Sequence, residues 1–168
     1  MESACAFTGH RPHKLPFGYD EAHRDCMQVK LLLSLAINEA QREGVCTFFT
    51  GMAEGVDLWA ASYVLELKQV VEGLRLVAVI PHEAQAKEYK PRYQALYQEV
   101  RKKCDEEIVL HRHYVPGCMQ ERNRYMVDHS NRLIAVFGGI RGGTAQTVQY
   151  AKKQKRNVVL IDPNHPFL

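Results

Sequence analysis

Short apolar runs alternate with longer segments whose apolar residues recur at helical spacing, and this alternation constrains the fold more than any other feature. The runs are Ala4–Phe7, Thr47–Thr50, Leu74–Ile80, Glu107–Leu110, Leu133–Phe137 and Val158–Ile161. Leu76–Ile80 and Leu133–Phe137 are apolar at nearly every position, the pattern of strands covered on both faces. Between the runs, Cys26, Val29, Leu33, Ile37 and Ala40 mark one face of a first helix. Trp59, Ala60, Tyr63, Val64 and Leu67 mark a second, and Tyr89, Tyr93, Leu96 and Val100 a third. A shorter fourth helix is predicted over Met119–Asp128, and a fifth starts near Gly143 and carries Ala145, Val148 and Ala151. Repeated strand–helix–strand units favour parallel strands joined by right-handed crossovers. The predicted fold is therefore α/β: a Rossmann-like, doubly wound, mainly parallel sheet flanked by helices.

The 168 residues suit one domain spanning 1–168, and no linker, low-complexity tract or repeat divides them. With 46% hydrophobic and 24% charged residues, the composition argues against disorder and fibrous structure. A formal charge of +3 is too small to imply a nucleic-acid partner by itself. No apolar stretch approaches the roughly 20 residues that cross a bilayer. The N-terminus lacks a signal-peptide pattern, so a cytoplasmic protein without a membrane partner is expected. Five scattered cysteines with no C-x-x-C pair argue against a disulfide framework or a zinc knot. Cys5 and Cys46 read as small core residues.

Three strand ends carry unusual sequence. The first run leads into Thr8-Gly9-His10-Arg11-Pro12, the second into Gly51-Met52-Ala53-Glu54-Gly55-Val56-Asp57, and the fifth into Gly138–Thr144. Glycine lets a ligand approach the backbone closely, and a helix N-terminus offers free N–H groups with a partial positive charge. Three such turns at one sheet edge predict a phosphate cradle. Asp57 falls in a first helical turn, where a carboxylate either favours the helix dipole or orders a ribose site. No G-x-G-x-x-G follows the first run, and Gly138–Thr144 lacks a Walker lysine. Ordinary NAD-dependent dehydrogenase and P-loop ATPase chemistry are thereby disfavoured.

Taken together, Thr8–Pro12, Gly51–Asp57, Arg122-Asn123-x-x-Met126-Val127-Asp128 and Gly138–Thr144 resemble the YpsA-like branch of the SLOG superfamily. That superfamily joins the Smf/DprA DNA-processing proteins to the Lonely guy (LOG) nucleotide phosphoribohydrolases. The resemblance implies a pocket for a nucleotide or ADP-ribose-like ligand and no obligatory cofactor. It nominates Thr8, Gly9, His10 and Arg11, then Gly51, Met52, Glu54, Gly55 and Asp57. Arg122 and Asn123 follow, with Gly138, Gly139, Gly142, Gly143 and Thr144 completing the set. No residue is assigned a catalytic role. Met119-x-x-Arg122-Asn123-x-x-Met126 approximates the phosphoribohydrolase helix motif M-x-x-R-K-x-x-M, with asparagine in place of lysine. The glutamate of their P-G-G-x-G-T-x-x-E loop has no counterpart, since Gln146 and Thr147 occupy the candidate positions. Neither side chain supplies the negative charge that assists N-glycosidic cleavage, so little phosphoribohydrolase turnover is expected.

Arg122 is expected to aim its guanidinium fork at a phosphate, the bland alternatives being solvent or a pair with Glu121 or Asp128. His10 is expected either to donate to a phosphate or ribose oxygen or to stabilise its own turn. His111 and His113, on a strand, would share a face without a nearby carboxylate or third ligand, so no metal site is predicted. The leading expectation is a nucleotide-sensing domain that passes its state to an unidentified protein partner and self-associates as a homo-oligomer. A nucleotide-cleaving enzyme and a DNA-associated protein are the alternatives. For the last, Arg101–Lys102–Lys103 and Lys152–Lys153–Lys155–Arg156 supply charge, though such clusters more often form solvated helix ends.

Overall fold

Each apolar run forms a strand, and the strands join in one six-stranded sheet among residues 3–167, which the computed structural model describes. In chain order the elements are β1 (Ala4–Gly9), α1 (Arg24–Arg42), β2 (Thr47–Thr50) and α2 (Val56–Lys68). They continue with β3 (Arg75–His82), α3 (Pro91–Lys103), β4 (Glu106–His111), α4 (Cys118–Asp128), β5 (Arg132–Val136), α5 (Gly143–Lys153) and β6 (Asn157–Ile161). A single 3-10 turn, Pro12–Lys14, follows β1. All neighbouring strands pair in parallel, in the order β4-β3-β2-β1-β5-β6.

Strand periodicity divides the interior into two layers. Cys5, Phe7, Phe48, Leu76, Ala78, Ile80, Ile134 and Val136 face one side, where they pack with buried residues of α1, α2 and α3. Ala4, Ala6, Phe49, Val77, Val79, Leu133 and Ala135 face the other, against Met126 and Val127 of α4 and Val148 and Ala151 of α5. A two-residue period with both faces covered makes the central strands continuously apolar. Burial pushes the Cys5 thiol up to about 12, so it behaves as a small core residue. Cys46 is only half-buried, with its Sγ 3.7 Å from the Ser3 carbonyl oxygen.

Strand ends shift by a residue or two from the apolar runs, and two helix boundaries differ from the sequence pattern. Tyr89 is not on α3: Pro91 occupies the first helical turn, and Lys90 before it is held extended at ψ 150°. Tyr89 nevertheless stays buried and donates its hydroxyl to the Met52 carbonyl at 3.1 Å. The fourth helix starts one residue early, at Cys118, because Gly117 supplies a left-handed cap at φ 85°.

From β1 the chain winds outward through β2 and β3 to β4, then α4 carries it back to β5 on the opposite flank of β1. Connections leaving β1 and β5 therefore diverge and open a crevice at their carboxyl ends, where open α/β sheets receive ligands. Among the described residues, no helix is long and apolar enough to cross a membrane.

Candidate functional site

At this reversal point lies a pocket of about 320 Å³, within the size range of small-ligand sites. Thr8, Gly9, His10 and Arg11 line it from the end of β1, and His13 and Lys14 from the 3-10 turn. Ala53 comes from the loop before α2 and Asp57 from its first turn, Met119, Arg122 and Asn123 from α4, and Gly143 and Thr144 from α5.

Arg122 is the best-anchored cation in the pocket. Its side chain is buried, yet neither Glu121 nor Asp128 pairs with it. Glu121 meets His111 Nε2 at 2.6 Å, and Asp128 accepts the Tyr150 hydroxyl at 2.6 Å. Arg122 instead donates Nη1–H to the Gly51 carbonyl at 2.5 Å and Nε–H to Asn123 Oδ1 at 2.7 Å. Those two bonds fix the guanidinium plane and leave three of its five N–H donors without a hydrogen bond among the described residues. Gly51 is needed for room: a Cβ there would stand 2.9 Å from the guanidinium carbon, Nε and Nη1. Burial pulls the arginine down from its ordinary value, the nearby Asp57 charge opposes that pull, and the group stays protonated. Burial likewise pushes the Asp57 carboxyl up, opposed by Arg122, by the Ala53 N–H that donates to Oδ2 at 3.2 Å, and by Arg11.

Lys14 was not singled out by the sequence, yet it completes the basic wall. Pro12 starts the 3-10 turn, in which side chains three apart eclipse, so Lys14 follows Arg11 toward the pocket. A Cβ on Gly142 would come within 2.9 Å of the Lys14 ammonium, and Gly142 has φ 144°, a backbone that favours glycine. Gly142 caps α5 without any side-chain hydrogen bond, so the first-turn amides at Gly143 and Thr144 are uncapped beside the pocket. Surface cations such as Lys30, Lys68, Arg101 and Arg132 have carboxylate partners; Arg11, Lys14 and Arg122 form no ion pair among the described residues. His13, Ala53 and Met119 are the other lining residues that sequence reasoning left out; Met119 lies one helical turn before Arg122, a usable signal.

His10 ties the turn after β1 to the one after β5. Its Nε2 accepts the Gly138 N–H at 3.0 Å, which leaves the ring proton on Nδ1 in the neutral form. Burial and the Lys14 charge lower its pKa from 6.5. Gly9 is required by packing, since a Cβ would come within 2.6 Å of the Val56 side chain.

Several nominated residues lie behind the pocket rather than on its wall. Met52 is fully buried at φ 63°, and Glu54 accepts hydrogen bonds from the Tyr19 hydroxyl and, at 3.4 Å, the Lys90 amide. Gly55, at φ 89°, packs on Pro12. The Gly138 amide is committed to His10, and Gly139 is an exposed loop residue at φ 92°. Gln146 accepts from Gln120 at 2.9 Å, and Thr147 donates to the Gly143 carbonyl at 2.7 Å. Among the described residues, the one lining carboxylate is Asp57. His111 ends β4 and His113 lies beyond it, so the two do not share a strand face; contrary to expectation, a carboxylate, Glu121, stands beside His111. Among the described residues, no group of three His, Cys, Asp or Glu could hold a metal ion.

A six-stranded parallel sheet with five helices and a basic pocket over its reversal point defines a Rossmann-like α/β protein. Comparison with known sequences narrows the class. The chain belongs to the YspA SLOG family, which matches residues 5–165. It is 29% identical over 134 residues to the uncharacterized SPbeta prophage-derived protein YoqJ of Bacillus subtilis, covering 73% of this chain and 78% of that protein. A UPF0398 protein of Halalkalibacterium halodurans is 25% identical over 164 residues, covering 94% and 86%. Among solved structures, DNA processing protein A from Helicobacter pylori superposes with TM-score 0.64 at 16% identity, over 96% of this chain and 66% of its own. DNA processing protein A (DprA) from Streptococcus pneumoniae gives TM-score 0.63 at 18% identity, over 95% and 50%. This chain thus spans between half and two thirds of those proteins, and at such identities the likeness speaks for the fold.

Proposed function

We propose that the pocket receives the phosphate of a nucleotide or nucleotide-derived ligand, and that the chain is a binding or sensing domain which relays occupancy to a partner protein. The observation that carries this reading is Arg122: buried, fixed by Gly51 and Asn123, with donors left over beside the uncapped start of α5. Arg11 and Lys14 add charge, so a dianionic phosphate exchanges water for N–H donors on two sides. A cytoplasmic setting fits Cys5, Cys26, Cys104 and Cys118, which form no disulfide among the described residues.

A second reading has its own observation. The Helicobacter pylori structure is described by its single-stranded DNA binding mode, and the same basic pocket would accept a phosphodiester. Nucleotide cleavage is less well supported, because Asp57 is the one lining carboxylate among the described residues and its Oδ2 is engaged by the Ala53 amide. Calorimetry with nucleoside monophosphates, ADP-ribose and a short single-stranded oligonucleotide separates the first two readings. A mononucleotide at 100 times its Kd should stabilise the protein by about 2.7 kcal/mol. Tight oligonucleotide binding with a steep salt dependence, and none of the mononucleotides, would replace sensing by DNA binding. Release of ribose 5-phosphate would restore the enzyme.

A further inference from the structure

The outer face of α1 carries a self-complementary stripe, and we propose that it is the contact by which two copies of this chain pair. Arg24, Met27, Leu31, Leu35 and Glu39 follow one another at three- and four-residue steps, and all are exposed. At 100° per residue they fall on one side of the helix, opposite the buried Cys26, Val29, Leu33 and Ile37. An ordinary solvent-facing stripe is polar throughout; this one is apolar at its centre, with Met27 59%, Leu31 49% and Leu35 49% exposed.

The apolar surface extends beyond the helix. Leu160 of the edge strand β6 and Phe167 near the C-terminus are also half-exposed. Leu160 borders a groove with Leu35 and Ala36, and Phe167 lies beneath the Arg24 guanidinium, 4.7 Å from its ring centroid. Among the described residues, five of the nine exposed large hydrophobic side chains thus sit on one flank. Scattered apolar side chains need no explanation, whereas a contiguous patch marks an interaction surface.

The arrangement of charge selects the occupant. The stripe is basic at its N-terminal end and acidic at its C-terminal end. A second α1 laid antiparallel across Leu31 brings Leu31 against Leu31, Met27 against Leu35, and Arg24 against Glu39. Leu31 meets its own copy once, on the axis, and the other two matches each occur twice because the contact is two-fold. Neither charge has a close ion-pair partner among the described residues: Glu39 forms none, and the one carboxylate near Arg24 is Asp25, at 3.8 Å. A parallel pair would set like charges together. The phosphate pocket lies over the carboxyl edge of the sheet between β1 and β5, so pairing through α1 leaves its lining residues out of the contact.

The test is sedimentation velocity of the full chain from micromolar to near-millimolar concentration. Wild type should show a concentration-dependent dimer, and Leu31→Glu, at the two-fold, should abolish it. Arg24→Glu and Glu39→Arg should each weaken association about tenfold or more, since each replaces two attractive contacts by two repulsive ones. Restoration to within about threefold of wild type in the Arg24→Glu/Glu39→Arg double variant would establish the antiparallel register, and it excludes misfolding as the cause of the single-variant losses. Leu31→Cys should cross-link between copies under mild oxidation where wild type does not. A wild-type chain that stays monomeric throughout, or a dimer that ignores all of these substitutions, overturns the proposal.

Discussion

Replacing Arg122 with alanine should weaken nucleotide binding and destabilise the fold together, by amounts that the hydrogen bonds allow to be separated. A ligand-facing arginine would ordinarily leave stability untouched. Burial of Arg122 corrects the expectation: truncation removes two charged hydrogen bonds and the cation that compensates Asp57. The Gly51 carbonyl is not orphaned, because Gln85 Nε2 still donates to it at 2.8 Å, and the half-buried Asn123 amide can turn to water. The stability loss should therefore stay near 1–3 kcal/mol, below the roughly 3–5 kcal/mol seen when a buried ion pair is broken. For the ligand, a charge-assisted hydrogen bond contributes about 1.5–3 kcal/mol, a loss of roughly tenfold to a hundredfold in affinity. Arg122→Lys keeps the charge but cannot hold Gly51 and Asn123 while presenting a planar fork, so it should fall between wild type and alanine. Denaturant titration of the apo protein and calorimetry with a mononucleotide measure the two effects independently. If Arg122→Ala loses several kcal/mol of stability with affinity unchanged among the folded molecules, the guanidinium is structural and the phosphate assignment falls.

Three further outcomes follow from neighbouring residues. Nothing lies within 4 Å of a Cβ built on Gly143, so Gly143→Ala should fold and bind nearly as wild type. Gly143→Asp should fold but repel an anion at the start of α5, and unchanged calorimetric affinity for the aspartate variant would remove that turn from the site. His10 has a folded pKa below 6.5 because burial and Lys14 disfavour its charged form. Between the lowered folded value and 6.5 the unfolded chain binds more protons. Its contribution is therefore complete above about pH 6.5 and is lost as the pH falls through that window. Urea titrations from pH 7.5 to about 5 should show a shallower stability loss in His10→Gln than in wild type, and parallel profiles would contradict the neutral-ring assignment. Gly9→Ala should cost about 1–3 kcal/mol by overpacking Val56, measurable as a lowered denaturation midpoint. Combining it with Val56→Ala should recover part of that loss, and strict additivity in the double-mutant cycle would show that the two positions do not meet.

The sequence determined the sheet, its parallel sense and the order of its elements. Apolar runs with a two-residue period, separated by helical segments, can bury both of their faces in few ways, and right-handed crossovers leave few topologies. It also determined that three glycine-bearing turns stand at strand ends, because that information is local. Tertiary structure decided how those glycines divide their work. Gly51 yields space to Arg122, Gly9 to Val56, and Gly142 adopts a backbone suited to glycine beside Lys14. Only the fold decided that Arg122 would reach back 71 positions to a carbonyl rather than pair with its helix neighbours Glu121 or Asp128. His10 likewise spans 128 positions to hold the amide of Gly138, and Lys14 enters the pocket through the turn that Pro12 begins. Hydrogen-bond partners so distant in sequence leave no periodic trace; they exist because α4 and β5 return the chain to the flank of β1.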